Sequence, residues 1–161
     1  MSAVDYLNRK FDVLAFNGVQ LHGQQPLQQS LFSFGDSGSV CTGIQKLAQR
    51  WLLEFLTEQG SMGFQLSARG SSFMTWVRQG RLRSEFDVQT FFNFAELQVQ
   101  TNLQAEETAD QPDEERFDSA TLSQILLMDD DIGLVVLLRS RAGDTREIIL
   151  PINITPVNMQ V

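Results

Sequence analysis

A chain of 161 residues with 42% apolar side chains is long enough to bury a core of its own and suits one compact domain. Its 20 acidic residues against 12 basic ones leave a formal net charge of −8, a surface that repels phosphate backbones and argues against nucleic-acid binding. The single cysteine, Cys41, excludes an internal disulfide; residues 1–10 lack the apolar centre of a secretion signal, and no run approaches the roughly 20 apolar residues of a membrane span.

Residues 1–42 read as an N-terminal arm. The apolar run 11–16, the turn signal Asn17-Gly18 and the alternation of residues 19–22 predict a hairpin. Gln24, Gln25, Gln28 and Gln29 then crowd around Pro26, a segment that makes little core by itself and is expected to extend over another surface. A short apolar run at 31–34 leads into a glycine- and serine-rich loop at 34–39.

Residues 43–161 read as the folded domain, with no internal repeat and no linker to divide it. The spacing of Ile44, Leu47, Ala48, Trp51, Leu52 and Phe55 predicts a helix over 43–57 with one apolar face. Thr42 with Gln45 has the pattern of a capping box, Lys46 is expected to point to solvent, and Gly60 ends the element. Residues 60–80 are glycine- and serine-rich but hold Phe64, Leu66, Phe73, Trp76 and Val77, which marks an ordered connection with buried anchors. Ser84 and Asp87 open a second helix over 85–106, striped by Val88, Phe91, Phe92, Ala95, Val99 and Leu103. Phe94 and Leu97 widen that stripe beyond what one packing face requires. The acidic stretch 105–119, with Pro112, reads as a solvated connection.

The last third reads as strands. Residues 121–128 form the first, and Asp129-Asp130-Asp131 the turn that ends it. The unbroken apolar run 133–138 predicts a central strand, buried on both faces. A turn at 141–144 leads to a third strand over 146–154, in which Ile148, Leu150, Ile152 and Ile154 alternate. Pro151 cannot donate to a ladder and assigns that strand to an edge. The expected fold class is therefore α+β: two main helices packed on a small mixed or antiparallel sheet, with a C-terminal β-meander and an extended N-terminal arm.

Little chemistry is legible. His22 is the only histidine and sits in the glutamine-rich arm, poorly placed for a catalytic triad. There is no Cys/His cluster for zinc, and Gly35, Gly38 and Gly43 lack the lysine of a phosphate loop, so no cofactor is expected. Glu54 and Glu58 lie four residues apart, as a carboxylate pair could, but their surroundings read as a solvated acidic face rather than a sugar cleft. Asp129 to Asp131 lack the spaced ligands of a calcium loop.

The order of parts carries a resemblance. A long helix runs into Leu56-Thr57-Glu58-Gln59-Gly60, a glycine-marked connection and a second helix follow, and a polar junction leads into a terminal meander with a Gly143-Asp144 turn. Over about residues 43–154 this resembles the baseplate wedge family of contractile tails, called lysozyme-like and known as the sheath initiator, which spans phage tails, tailocins and type VI secretion baseplates. Members carry Glu-Pro-Arg before the terminal strands; here Glu114 and Arg116 fit that motif, and Glu115 replaces its proline. The resemblance implies a structural protein without enzymatic activity, present in several copies around the tail tube of the virion baseplate and assembled in the host cytoplasm. It implies a contact with other baseplate wedge proteins through Glu114 and Arg116. It also implies strand pairing with the tail sheath protein along the edge strand that carries Ile148, Leu150, Ile152 and Ile154. A peptidoglycan hydrolase, as the family's older name has it, and a small acidic adaptor for some other partner are the alternatives.

Overall fold

The computed structural model describes residues 12–13, 40–61, 69–128 and 131–154. Its elements are β1 (Asp12–Val13), β2 (Val40–Cys41), α1 (Gly43–Leu56), α2 (Phe73–Arg78), α3 (Glu85–Ala105), a 3-10 turn (Asp113–Glu115), β3 (Phe117–Met128), β4 (Asp131–Ser140) and β5 (Thr145–Asn153). The chain has an α+β fold, with the helices lying against an antiparallel three-stranded sheet of order β3-β4-β5. α1 packs over β4 and β5, α3 over β3, and α2 wedges against both long helices.

The apolar stripe of α1 becomes the centre of the core. Trp51 and Phe55 are fully buried and stack at 4.7 Å between ring centroids. Phe92 of α3 lies 5.4 Å from Phe55, and Phe73 of α2 lies 4.8 Å from it on another side. Four aromatic rings from three helices thus share one cluster, with Trp51 stacked on Phe55 and the other pairs tilted. Phe73 and Val77 act as the buried anchors expected of the connection, and Trp76 packs on Phe91 at 4.8 Å. Phe64 and Leu66 lie outside the described residues. Ser84 caps α3 by accepting from the Asp87 amide at 3.1 Å, and Asp87 accepts in return from the Arg83 amide at 3.2 Å.

The sheet closes the other side of the core. Leu122 pairs with Val136, and Val136 with Ile148; Leu134 pairs with Leu150, and Ile132 with Ile152. Directly opposed residues face the same side, so this register sends one buried row toward the helices. β4 is the central strand, as its apolar run predicts, and Ile132 to Val136 are all buried; Leu137, on the outer face, is 41% exposed. β5 is an edge, with Pro151 exposed opposite Gly133.

Two expectations need correction. Asp12 and Val13 pair with Cys41 and Val40, while residues 19–22, the other arm of the predicted hairpin, lie outside the described residues together with the glutamine-rich arm. The first long strand begins at Phe117 rather than at residue 121, because the ladder with β4 extends through a polar stretch that reads locally as loop. The acidic junction is not simply solvated: Glu115 and Phe117 are 3% and 1% exposed. Of the aspartate turn, only Asp131 is described, as the first residue of β4.

Candidate functional site

The family-like motif falls on the 3-10 turn that joins α3 to the sheet. Glu115 is its keystone. One carboxylate oxygen accepts from the Gly43 amide at 3.3 Å and the other from the Lys46 ammonium at 2.9 Å. The first turn of α1 is therefore capped by a residue far along the chain. Thr42 stands at the N-cap position with extended backbone, but its side chain makes no cap hydrogen bond, so the predicted capping box does not form. Lys46, expected in solvent, is only 13% exposed at its side chain and is held by Glu115. An anion at a helix N-terminus meets unpaired amides and the positive end of the helix dipole, which gives Glu115 two reasons to sit there.

Glu114 and Arg116 flank this carboxylate. Glu114 packs against the start of α1, its side chain within van der Waals reach of the space beside the Gly43 α-carbon. Arg116 turns back onto its own junction, donating to the carbonyls of Thr108 and Ala109 at 2.8 and 3.0 Å and pairing with Asp113 at 3.2 Å. The turn between β4 and β5 docks on the same place: the Arg141 amide donates to the Arg116 carbonyl and the Ala142 amide to the Asp113 carbonyl. Glu107 completes the clasp by accepting from the Phe117 amide at 2.9 Å and pairing with Arg141 at 2.8 Å. The motif thus fastens α1, the end of α3 and the β4–β5 turn into one junction. Beside it lies an open cleft of about 490 Å³, lined by Lys46, Arg50, Glu106, Asp110, Pro112 and Glu115.

The two carboxylates weighed as a catalytic pair have separate structural partners. Glu54 is 3% exposed, so the expectation of a solvated face is wrong for it. It accepts from the Gly70 amide at 2.7 Å and the Asn102 side-chain amide at 2.6 Å, and pairs with Arg69 at 2.7 Å. Arg69 also pairs with Glu106, which in turn meets Arg50 at 3.3 Å. The result is a chain of alternating charge linking both long helices to the 69–72 connection. Glu58 pairs with Arg78 and accepts from Thr75 at 3.4 Å. Among the described residues no group of three or more His, Cys, Asp or Glu side chains could hold a metal ion, and no helix is long and apolar enough to cross a membrane.

The second predicted surface is β5. Ile148, Leu150 and Ile152 are 1%, 5% and 4% exposed, and Ile154 packs partly buried just past the strand. These side chains belong to the core, so whatever β5 offers a partner comes from its main chain and its outer face. The two sheet edges differ. β3 pairs with β4 through two register shifts, between Phe117 and Ser119 and between Leu122 and Gln124. β5 keeps an unshifted register from Thr145 to Asn153. Bulges blunt an edge against further pairing, whereas a regular edge invites it.

Comparison with protein-family models, curated proteins and solved structures finds no match to this chain.

Proposed function

We propose that this chain is a structural subunit of a contractile-tail baseplate that starts sheath assembly by offering the β5 edge to a strand of the first sheath ring. The observation that carries the reading is the unequal pair of edges: β5 is regular and has no further strand beside it among the described residues, while β3 is interrupted twice. Added strands bind chiefly through main-chain hydrogen bonds, which matches an edge whose apolar side chains are already committed to the core. The Glu114–Arg116 junction supports the same reading in another way. It locks the β4–β5 turn to the helices, so that a load applied to the edge strand is carried into the whole domain. Contact with other wedge proteins through this junction, several copies around the tail tube, and assembly in the host cytoplasm before residence in the virion baseplate are parts of the same proposal.

The hydrolase alternative needs a carboxylate open to a cleft. Glu54 instead spends its oxygens on Gly70, Asn102 and Arg69, and Glu58 is paired with Arg78, so neither favours that reading. Mass-spectrometric inventory of purified tail particles tests the proposal. Peptides of this chain should appear at a fixed ratio to sheath and wedge proteins, and their absence from intact tails would overturn it.

A further inference from the structure

The turn between β4 and β5 fixes the direction of every amide in the sheet. The Ser140 amide donates to the Asp144 carbonyl at 2.9 Å, so Ser140 turns its main-chain groups toward β5. Main-chain direction alternates along a strand, so Arg139, Leu137 and Val135 turn theirs toward β3. The Val135 carbonyl accordingly accepts from the Ser123 hydroxyl, on the β3 side. Ser119 and Thr121, opposite Arg139 and Leu137, therefore spend their amides on β4. Ala120 between them points its amide the other way, to the free edge of β3. The same rule turns the main-chain groups of Glu147, Ile149 and Pro151 outward from β5, where a proline removes no bond to β4.

On the β3 side two acids meet the edge amides. The Ala120 amide donates to the half-buried Glu96 carboxylate of α3. The Phe117 amide donates to Glu107, just past the end of α3, at 2.9 Å. The Glu107 side chain is only 9% exposed and is held in place by Arg141 at 2.8 Å. A strand adding to this edge needs those same donors, and a fixed carboxylate both occupies them and repels the carbonyl oxygens that would replace it. Among the described residues no side chain meets the outward amides of Glu147 and Ile149 in this way. The difference has a consequence for copies of the chain, because both edges belong to one sheet. An open β5 on one copy and an open β3 on the next would join head to tail, and such an interface does not close but grows into a filament.

We propose that Glu96 and Glu107 guard the β3 edge, and that by holding the Ala120 and Phe117 amides they stop the β5 strand of a second copy from adding there. The proposal needs β5 to be an open edge but does not need its partner to be a sheath strand, so it stands or falls apart from the tail reading.

Sedimentation of the full purified chain tests it. The parent should stay monomeric, and the double variant Glu96→Ala, Glu107→Ala should associate as its concentration rises. Adding Glu147→Pro, which removes one outward amide of β5, should return that variant to monomer. The double variant Glu96→Gln, Glu107→Gln keeps an acceptor oxygen at each position and should stay monomeric. Amide exchange followed by NMR reads each guard singly. Glu96→Ala should speed exchange at Ala120, and Glu107→Ala at Phe117, by about tenfold or more, with the buried Val136 amide unchanged. A folded alanine double variant that stays monomeric, or association that Glu147→Pro does not relieve, would overturn the proposal. Association of the parent or of the glutamine variant as strong as that of the alanine variant would do the same. So would unaltered exchange at Ala120 and Phe117 in the single variants, a readout that holds even where the double variant fails to fold.

Discussion

Glu115 and Lys46 meet at 2.9 Å although 69 residues separate them, and the carboxylate that holds the lysine also caps the helix on which it lies. Removing one partner of a buried pair leaves the other charge desolvated, so Glu115→Ala is expected to cost about 3 kcal/mol. A double-mutant cycle with Lys46→Met should return a coupling of about 1 kcal/mol or more. Chemical denaturation of the four proteins measures both quantities, and additive losses would show that the pair carries no weight.

Gly70 and Gly80 both have positive φ, +90° and +63°, but only one is crowded. A β-carbon on Gly70 would lie 2.4 Å from the Thr57 carbonyl oxygen, against the backbone, where the Ser71 amide also bonds at 2.8 Å. Nothing lies within 4 Å of a β-carbon on Gly80. Gly80→Ala should therefore cost about 1 kcal/mol, for the backbone conformation alone, and Gly70→Ala about 3 kcal/mol or more. Thermal melting of the two variants checks the order, and equal losses would contradict it.

Trp51 is fully buried against Phe55 and Phe92. Trp51→Ala should cost about 3 to 5 kcal/mol, as truncation of a buried aromatic does. The indole N–H finds no hydrogen-bond partner among the described residues, so Trp51→Phe, which keeps the ring packing, should lose clearly less. An unchanged melting midpoint for Trp51→Ala would remove this residue from the core.

Burial raises the Glu96 carboxyl above its ordinary value of 4.5, and a backbone hydrogen bond from Ala120 offsets part of the rise. The folded chain then holds this proton to higher pH than the unfolded chain does. Stability consequently falls as pH rises from the ordinary carboxylate value through the folded one, and the penalty is complete above that. Glu96→Gln should melt higher than the parent at about pH 7, with the gap closing as pH falls to about 4. A gap that widened on acidification would reverse the sign of this account.

The parts legible in the sequence were those with a strong local period. The face of α1, the stripe of α3, the central position of β4 and the edge position of β5 all follow from spacing of three or four, from alternation, or from Pro151. Even the outward Phe94 and Leu97 stand out as surplus to one packing face. Glu54, Glu115 and Lys46 were misread because a charged side chain looks solvated until its partner is known. Their partners arrive from other elements: Gly70 and Asn102 for Glu54, and the start of α1 for Glu115. Only the packing of α1 against α3 and the 3-10 turn brings them together, and no local pattern records it. Glu115 illustrates the point most sharply, since it departs from the family-like motif yet is the most buried member of its triplet.

The central claim is that β5 is the template for sheath assembly. Asn153→Pro places a second proline at the end of that strand, two residues past the exposed Pro151, without replacing Ile148, Leu150 or Ile152 in the core. The variant protein should keep a cooperative melting transition. Electron microscopy of particles assembled with it should then show formed baseplates and bare tubes, with sheath absent or polymerised loose in solution. Normally sheathed tails in the same images would contradict the account.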